Sequence, residues 1–246
     1  LADLAIIGGT GLTKLEDLDI TNREIVHTPY GDPSGPISHG ELHGRKILFL
    51  PRHGYGHTIP PHRINYRANV WALKEAGASD VLAIAAVGGI TPEMHAGALV
   101  VPDQIIDYTY SRITTYFEEG LQSVTHVDFT QPYSEALRGL IIQAAANADI
   151  NLVTQGTYAA TQGPRLETAA EITRLERDGC HLVGMTGMPE AALARELELN
   201  YATFAVVANA AAGKGQGKIT MQDIEKQLKG GMQHVGLVLQ QLVKLL

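Results

Sequence analysis

Tyr201-Ala-Thr-Phe-Ala-Val-Val-Ala208 decides the fold. An apolar run this short and this unbroken is the signature of a strand covered on both faces, as strands of the parallel sheets in α/β proteins are. Asn209 ends the run. A carboxamide at the end of a buried strand is costly without partners, and it can both donate and accept hydrogen bonds. It is therefore a candidate for reading a ligand.

Similar runs lie at Leu4–Ile7, Ile47–Leu50, Val81–Ala86, Leu152–Ala160 and Leu182–Met185. Between them, Asn65–Ala76, Glu135–Ala148, Ala169–Asp178 and Glu190–Glu198 carry helical patterns. A last helix opens at Thr220, an N-cap residue followed three positions on by Asp223, and Ile224, Leu228, Val235, Leu239 and Leu242 share one face of it. Gly230-Gly231 is expected to interrupt that helix. Alternating β and α elements predict an α/β sandwich: a central mixed, mostly parallel β-sheet flanked by helices, in one domain over residues 1–246. A chain of this size buries roughly 70–75% of its unfolded surface and needs no metal or disulfide staple.

The single cysteine, Cys180, and the absence of a long apolar span lead to the expectation of a soluble, cytoplasmic protein. Leu1 to Ile7 is too short for a signal peptide. A net charge of −7 argues against nucleic-acid or membrane-surface partners. The irregular stretch Asp107–Tyr133 is rich in Tyr and Phe, as functional loops, subunit interfaces and satellite cores all are.

Chemistry is expected at the strand ends. The first strand runs into Gly8-Gly-Thr-Gly11, where glycines admit an anion to the backbone and Thr10 adds a hydroxyl; a bare tight turn reads equally well. The second ends in Pro51-Arg-His-Gly54, in which Arg52 and His53 suit an oxyanion, the ring through a directed N–H. His53, His57 and His62 are also metal-type residues, but Gly54 and Gly56 disfavour their presentation on a helix. Ala85-Ala86 and Met185-Thr186 end two further strands; small residues allow close backbone approach, and Thr186 could hold an anion while Met185 walls a sugar. Glu167, after the break Thr161-Gln-Gly-Pro-Arg165, supplies an acceptor to complement Asn209.

With these blocks, joined by Asn65-Tyr66, Trp71-Ala-Leu-Lys-Glu75, Gly163-Pro-Arg165 and Pro189-Glu190, the chain resembles the trimeric purine nucleoside phosphorylase family and its 5'-methylthioadenosine branch. The resemblance implies phosphorolysis: inorganic phosphate displaces a purine from C1' of a nucleoside. It implies phosphate ligands Thr10, Arg52, His53, Thr186 and the Ala85-Ala86 backbone, with Met185 beneath the ribose and Leu166, Glu167, Asn209 and Ala211 around the base. Ala85 stands where the methylthioadenosine branch carries a threonine, so one phosphate contact is lost. His126, Met221 and Ile224 fall on positions lining the 5'-substituent, and no histidine meets a 5'-hydroxyl, since Asp223 is the nearest counterpart. The resemblance further implies a homotrimer with sites near subunit boundaries and neither cofactor nor metal.

The base is where the chain departs from that branch. Enzymes for 6-aminopurines carry aspartates where Asn209 and Ala211 stand; Asn209 and Glu167 match the 6-oxopurine branch. Hypoxanthine offers N1–H to Glu167, and O6 and N7 to the Asn209 amide. Adenine would set a lone pair against an ionised Glu167, a mismatch of about 1–3 kcal/mol per unsatisfied group. The expected substrate is a 5'-methylthio nucleoside of hypoxanthine, with Asn209 and His53 as catalytic groups. Methylthioadenosine, plain 6-oxopurine nucleosides such as inosine and guanosine, and a non-catalytic purine sensor are the alternatives.

Overall fold

Residues 1–15, 17–216 and 219–246 are described by a computed structural model, Met221 without its side chain. The strands are β1 (Leu4–Gly8), β2 (Asp19–Glu24), β3 (Ile37–Leu42), β4 (Arg45–Pro51), β5 (Asp80–Gly89), β6 (Leu99–Val100), β7 (Gln104–Asp107), β8 (Thr157–Ala160), β9 (Leu182–Gly184) and β10 (Asn200–Ala210). The helices are α1 (Tyr66–Glu75), α2 (Glu135–Asn147), α3 (Ala169–Arg177), α4 (Gly187–Glu196) and α5 (Met221–Leu245). All ten strands join one sheet, with a path β2-β3-β4-β1-β5-β9-β8-β7 from which β10 branches at β5 and carries β6. The β1–β4, β1–β5, β5–β10, β7–β8 and β8–β9 pairs are parallel, and the remaining pairs antiparallel.

Alternation along the inner strands sorts the core into two layers. Val81, Ala83 and Ala85 face one layer with Tyr66, Val70 and Leu73 of α1 and Ala191 and Ala194 of α4. Leu82 and Ile84 face the other, with Leu137 and Ile141 of α2 and Val235, Leu239 and Leu242 of α5. The predicted sandwich is therefore the observed architecture.

Three expectations need correction. Of Leu152–Ala160 only Thr157–Ala160 is a strand, Val153 making a lone bridge to Val100. The strands β2, β3, β6 and β7 have no counterpart among the expected elements; β2 is exposed at every residue, so no apolar pattern marks it. Gly230-Gly231 does not interrupt the last helix: α5 runs unbroken to Leu245. A Cβ at Gly231 would collide with the Val206 side chain, so the glycine lets α5 lie close against β10. Thr220 caps α5 as expected, its hydroxyl accepting from the Asp223 backbone at 3.2 Å. Among the described residues no helix is long and apolar enough to cross a membrane.

Candidate active site

Parallel pairing brings the carboxyl ends of β1, β4, β5 and β10 to one edge of the sheet, where open α/β sheets hold ligands. Gly8 of β1 is in register with Pro51 of β4, and the Arg52 N–H closes the ladder on the Gly8 carbonyl at 2.8 Å. β9 enters antiparallel at Gly88-Gly89 of β5, so its continuation, Met185-Thr186, runs back alongside Ala85-Ala86. β8 pairs with β9, and Thr161 just beyond it donates its backbone N–H to Gly184. A cavity of about 420 Å³ opens between these ends.

Thr10, Arg52, His53, Ala85, Ala86, Met185, Thr186, Glu167, Leu166, Asn209, Ala211 and Ile224, all singled out from the sequence, line that one cavity. His126 does not: it is exposed on the loop between β7 and α2. The Met221 side chain lies outside the described residues.

Arg52 is 1% exposed and is held by a residue for which no role in the site is expected from sequence. Its Nε donates to Glu190 Oε2 at 2.6 Å, Nη2 to Glu190 Oε1 at 2.8 Å, and Nη1 to the Ile84 carbonyl at 3.0 Å. Two of the five guanidinium N–H groups remain for a ligand. Burial opposes the charge, but the Glu190 carboxylate outweighs it and keeps the guanidinium firmly protonated. Tyr201 of β10 donates its hydroxyl to the same carboxylate at 2.8 Å. Burial and Glu190 hold the Tyr201 pKa well above its usual value, so it stays a neutral donor. In the sequence Glu190 reads as a helix former after Pro189 and as part of a matching block, with no role of its own; a lone acid among Ala and Leu on a buried helix face was the available signal. Gly9 allows this packing, because a Cβ there would collide with the Ile84 carbonyl and approach Arg52 Nη1 to 3.0 Å.

His53 differs from expectation in one respect. Its Nδ1 lies 2.8 Å from the Ile59 carbonyl, which can only accept, so the ring N–H is committed there. The neutral ring then offers an acceptor at Nε2, suited to the P–OH of a monoprotonated oxyanion. Burial, with Arg52 beside it, lowers the imidazole pKa to about 4. The unfolded chain thus takes up the proton first as pH falls. Stability held above about pH 6.5 declines towards pH 4, by about 2–3 kcal/mol from this group. His53→Gln is expected to remove that part of the acid slope in urea unfolding followed between about pH 7 and about pH 4.5. An unchanged slope would refute the assignment.

The base side is built from two strand ends. Between Val207 and Asn209 the pairing of β10 with β5 shifts register, Asn209 standing opposite Gly88. The extra residue bends the strand and re-aims the side chains beyond it. Asn209 Nδ2 donates to the Ala210 carbonyl at 2.7 Å, which leaves one amide N–H and the amide oxygen. Glu167 accepts from the Thr161 hydroxyl at 2.7 Å through Oε1, so Oε2 remains an acceptor. Arg165, without an assigned role from sequence, grips Glu171 with two bonds of 2.8 Å at the start of α3. Ile59, Val87, Leu166, Val183, Ile219 and Ile224 are among the apolar residues of the lining. Among the described residues no three metal-ligating side chains gather, although the His53 and His57 rings lie 4.8 Å apart.

The lining thus combines donors for an anion, apolar side chains, an amide and a carboxylate. The chain is 58% identical over 228 residues, 93% of each chain, to a probable S-methyl-5'-thioinosine phosphorylase of Pseudomonas syringae. It is 47% identical to a 6-oxopurine nucleoside phosphorylase of Pyrococcus furiosus over 229 residues, 90% of this chain and 84% of that one. The methylthioadenosine phosphorylase of Schistosoma mansoni, solved with adenine, superposes with a TM-score of 0.95 at 32% identity over 100% of this chain and 92% of that one. The model of the phosphorylase superfamily matches residues 3–244, and to that superfamily the chain belongs.

Proposed function

We propose that the enzyme catalyses phosphorolysis of S-methyl-5'-thioinosine, yielding hypoxanthine and 5-methylthioribose 1-phosphate. The observation that carries this reading is the meeting, in the lining of one cavity, of a paired arginine and a neutral histidine with an asparagine and a glutamate. The likeness to the Pseudomonas syringae and Pyrococcus furiosus proteins supports the 6-oxopurine choice.

In this reading Arg52, His53, Thr10, Thr186 and the Ala85-Ala86 backbone hold inorganic phosphate below the ribose, which rests on Met185. A phosphate oxygen forms the new bond to C1' as the bond to N9 breaks, and the purine leaves with the electron pair. Arg52 supplies charge through its two remaining N–H groups, a preorganised donor pair that needs no reorientation. Glu167 takes the N1–H of the base and fixes its register. Asn209, with one amide hydrogen free, donates to O6, and its amide oxygen accepts once N7 carries a proton. That replaces the two amide donations expected from sequence. Ile224 and its apolar neighbours take the methylthio group, where a hydroxyl would lose its partners. No cofactor or metal takes part in this scheme, and phosphate is a co-substrate.

We further propose a cytoplasmic homotrimer in which His126 reaches the cavity of a neighbouring copy. Tyr110 at 67%, Ile113 at 53% and Val124 at 76% exposure on the same loop support a covered surface. Mass in solution tests it.

The deciding experiment compares phosphate-dependent cleavage of methylthioinosine, methylthioadenosine, inosine and adenosine. Methylthioinosine is expected to have the highest kcat/KM. A preference for methylthioadenosine would overturn the base assignment. Failure to release base from any of them would leave a purine sensor as the better reading.

A further inference from the structure

Arg112 lies in the long loop after β7, just past Ser111, whose φ of 55° is rare for a residue with a side chain. Its half-buried guanidinium reaches two segments far away in sequence. Nη1 donates to the Met185 and Met188 carbonyls at 2.8 and 2.7 Å. Nη2 donates to the Gln162 and Thr161 carbonyls at 2.8 and 3.2 Å, and Nε to Gln162 Oε1 at 3.0 Å. The Tyr66 hydroxyl lies 3.1 Å from Nη1. Every acceptor is an uncharged oxygen, and all five N–H groups are used.

The Met185 carbonyl has no helical donor of its own, and the turn after β8 is short of one. Pro189 has no N–H to return to Met185 along α4, whose backbone leaves the helical region at Met188. Thr161 and Gln162 lie past the end of β8, and Pro164 brings no N–H to that turn. One planar cation thus joins the segment bearing Met185 and Thr186 to the segment bearing Thr161 and Glu167. The loop that delivers it is itself fastened: the Thr115 hydroxyl and the Tyr116 N–H both donate to the Glu196 carboxylate of α4, at 2.6 and 2.7 Å, and the Tyr116 hydroxyl donates to the Arg67 carbonyl at 2.8 Å.

We propose that Arg112 is a positioning residue that sets the distance between the ribose floor at Met185 and the base reader at Glu167. The proposal rests on the functional reading above for its kinetic consequence, but not for the geometry it predicts. Lysine cannot replace it, because an ammonium has three donors on one atom and no fork to span both segments.

The test uses the full-length enzyme with Arg112→Lys and Arg112→Met. Hydrogen exchange is expected to quicken in residues 161–167 and 185–188 of both variants, while β1 and β4 keep their protection. Unchanged exchange in those segments would overturn the proposal. In steady-state kinetics, kcat/KM for the nucleoside is expected to fall about 100-fold, the scale of a misplacement of roughly 1 Å. KM for phosphate should stay within about threefold. Added methylguanidinium should recover part of the activity of Arg112→Met, which a merely structural loss would not allow. Equal losses for nucleoside and phosphate, or full activity in Arg112→Lys, would also overturn it. A wild-type enzyme that cleaves no nucleoside defeats the functional reading instead, and the exchange experiment still decides the role of Arg112.

Discussion

Glu190→Gln is expected to lower the stability of the fold by about 3–5 kcal/mol, because it leaves the Arg52 charge buried against a neutral amide. For a chain of this length that corresponds to a fall of roughly 10 °C in melting temperature. The environment is severe: Glu190 is 0% and Arg52 1% exposed, and Tyr201 points a third donor at the same carboxylate. The comparison that separates folding from function is the double variant Arg52→Met, Glu190→Leu. Removing both charges is expected to restore most of the lost stability, since well-packed apolar pairs of similar volume often equal a buried ion pair. Phosphorolysis should not return, because the guanidinium proposed to hold phosphate is gone. Urea unfolding and a phosphate-dependent assay on the same preparations check both halves. If Glu190→Gln unfolds at the wild-type urea midpoint, the pair is not what holds α4 to the sheet.

Asn209→Asp should act on chemistry with little effect on stability, because the residue is half-buried at a strand end. The change removes the amide donor and sets a carboxylate oxygen against O6. Loss of one preorganised donor at developing negative charge costs on the order of 100- to 1,000-fold in kcat. Turnover of methylthioinosine is expected to fall by that much. Methylthioadenosine, whose 6-amino group can donate to the new carboxylate, should fall far less. The ratio of the two kcat/KM values is the measurement, and an unchanged ratio would mean that Asn209 does not touch the base.

Much of this was legible in the sequence, for physical reasons that also mark the limits. The inner strands β1, β4, β5 and β10 are buried on both sides, so apolar composition alone exposes them. β2, Asp-Ile-Thr-Asn-Arg-Glu, lies wholly in solvent and exists only through its pairing with β3, which no local pattern encodes. Asn209 was visible because a polar residue ends an apolar run. Arg112 was not, because its acceptors lie 46 to 76 positions away and are mostly backbone carbonyls, which every residue has. Glu190 stood in view but unread: nothing local says that its partner is 138 residues distant. The directed N–H expected of His53 failed for a similar reason, since the Ile59 carbonyl that claims it belongs to the fold of the loop.

The irregularity in β10 separates two kinds of selection on one strand. Up to Val207 the strand keeps strict register with β5, and each residue there answers to the packing of both layers. From Asn209 onward the pairing is out of phase with that alternation, and residues 209 and 211 both line the cavity, Ala211 while also packed in a small third cluster with Ile90, Ile172 and Val183. An exchange at Asn209, half-buried beyond the shift, is expected to leave the residues up to Val207 in their places. The extra residue therefore works as an insulator: in the reading proposed above, the base reader at position 209 can change while the sheet beneath it stays the same.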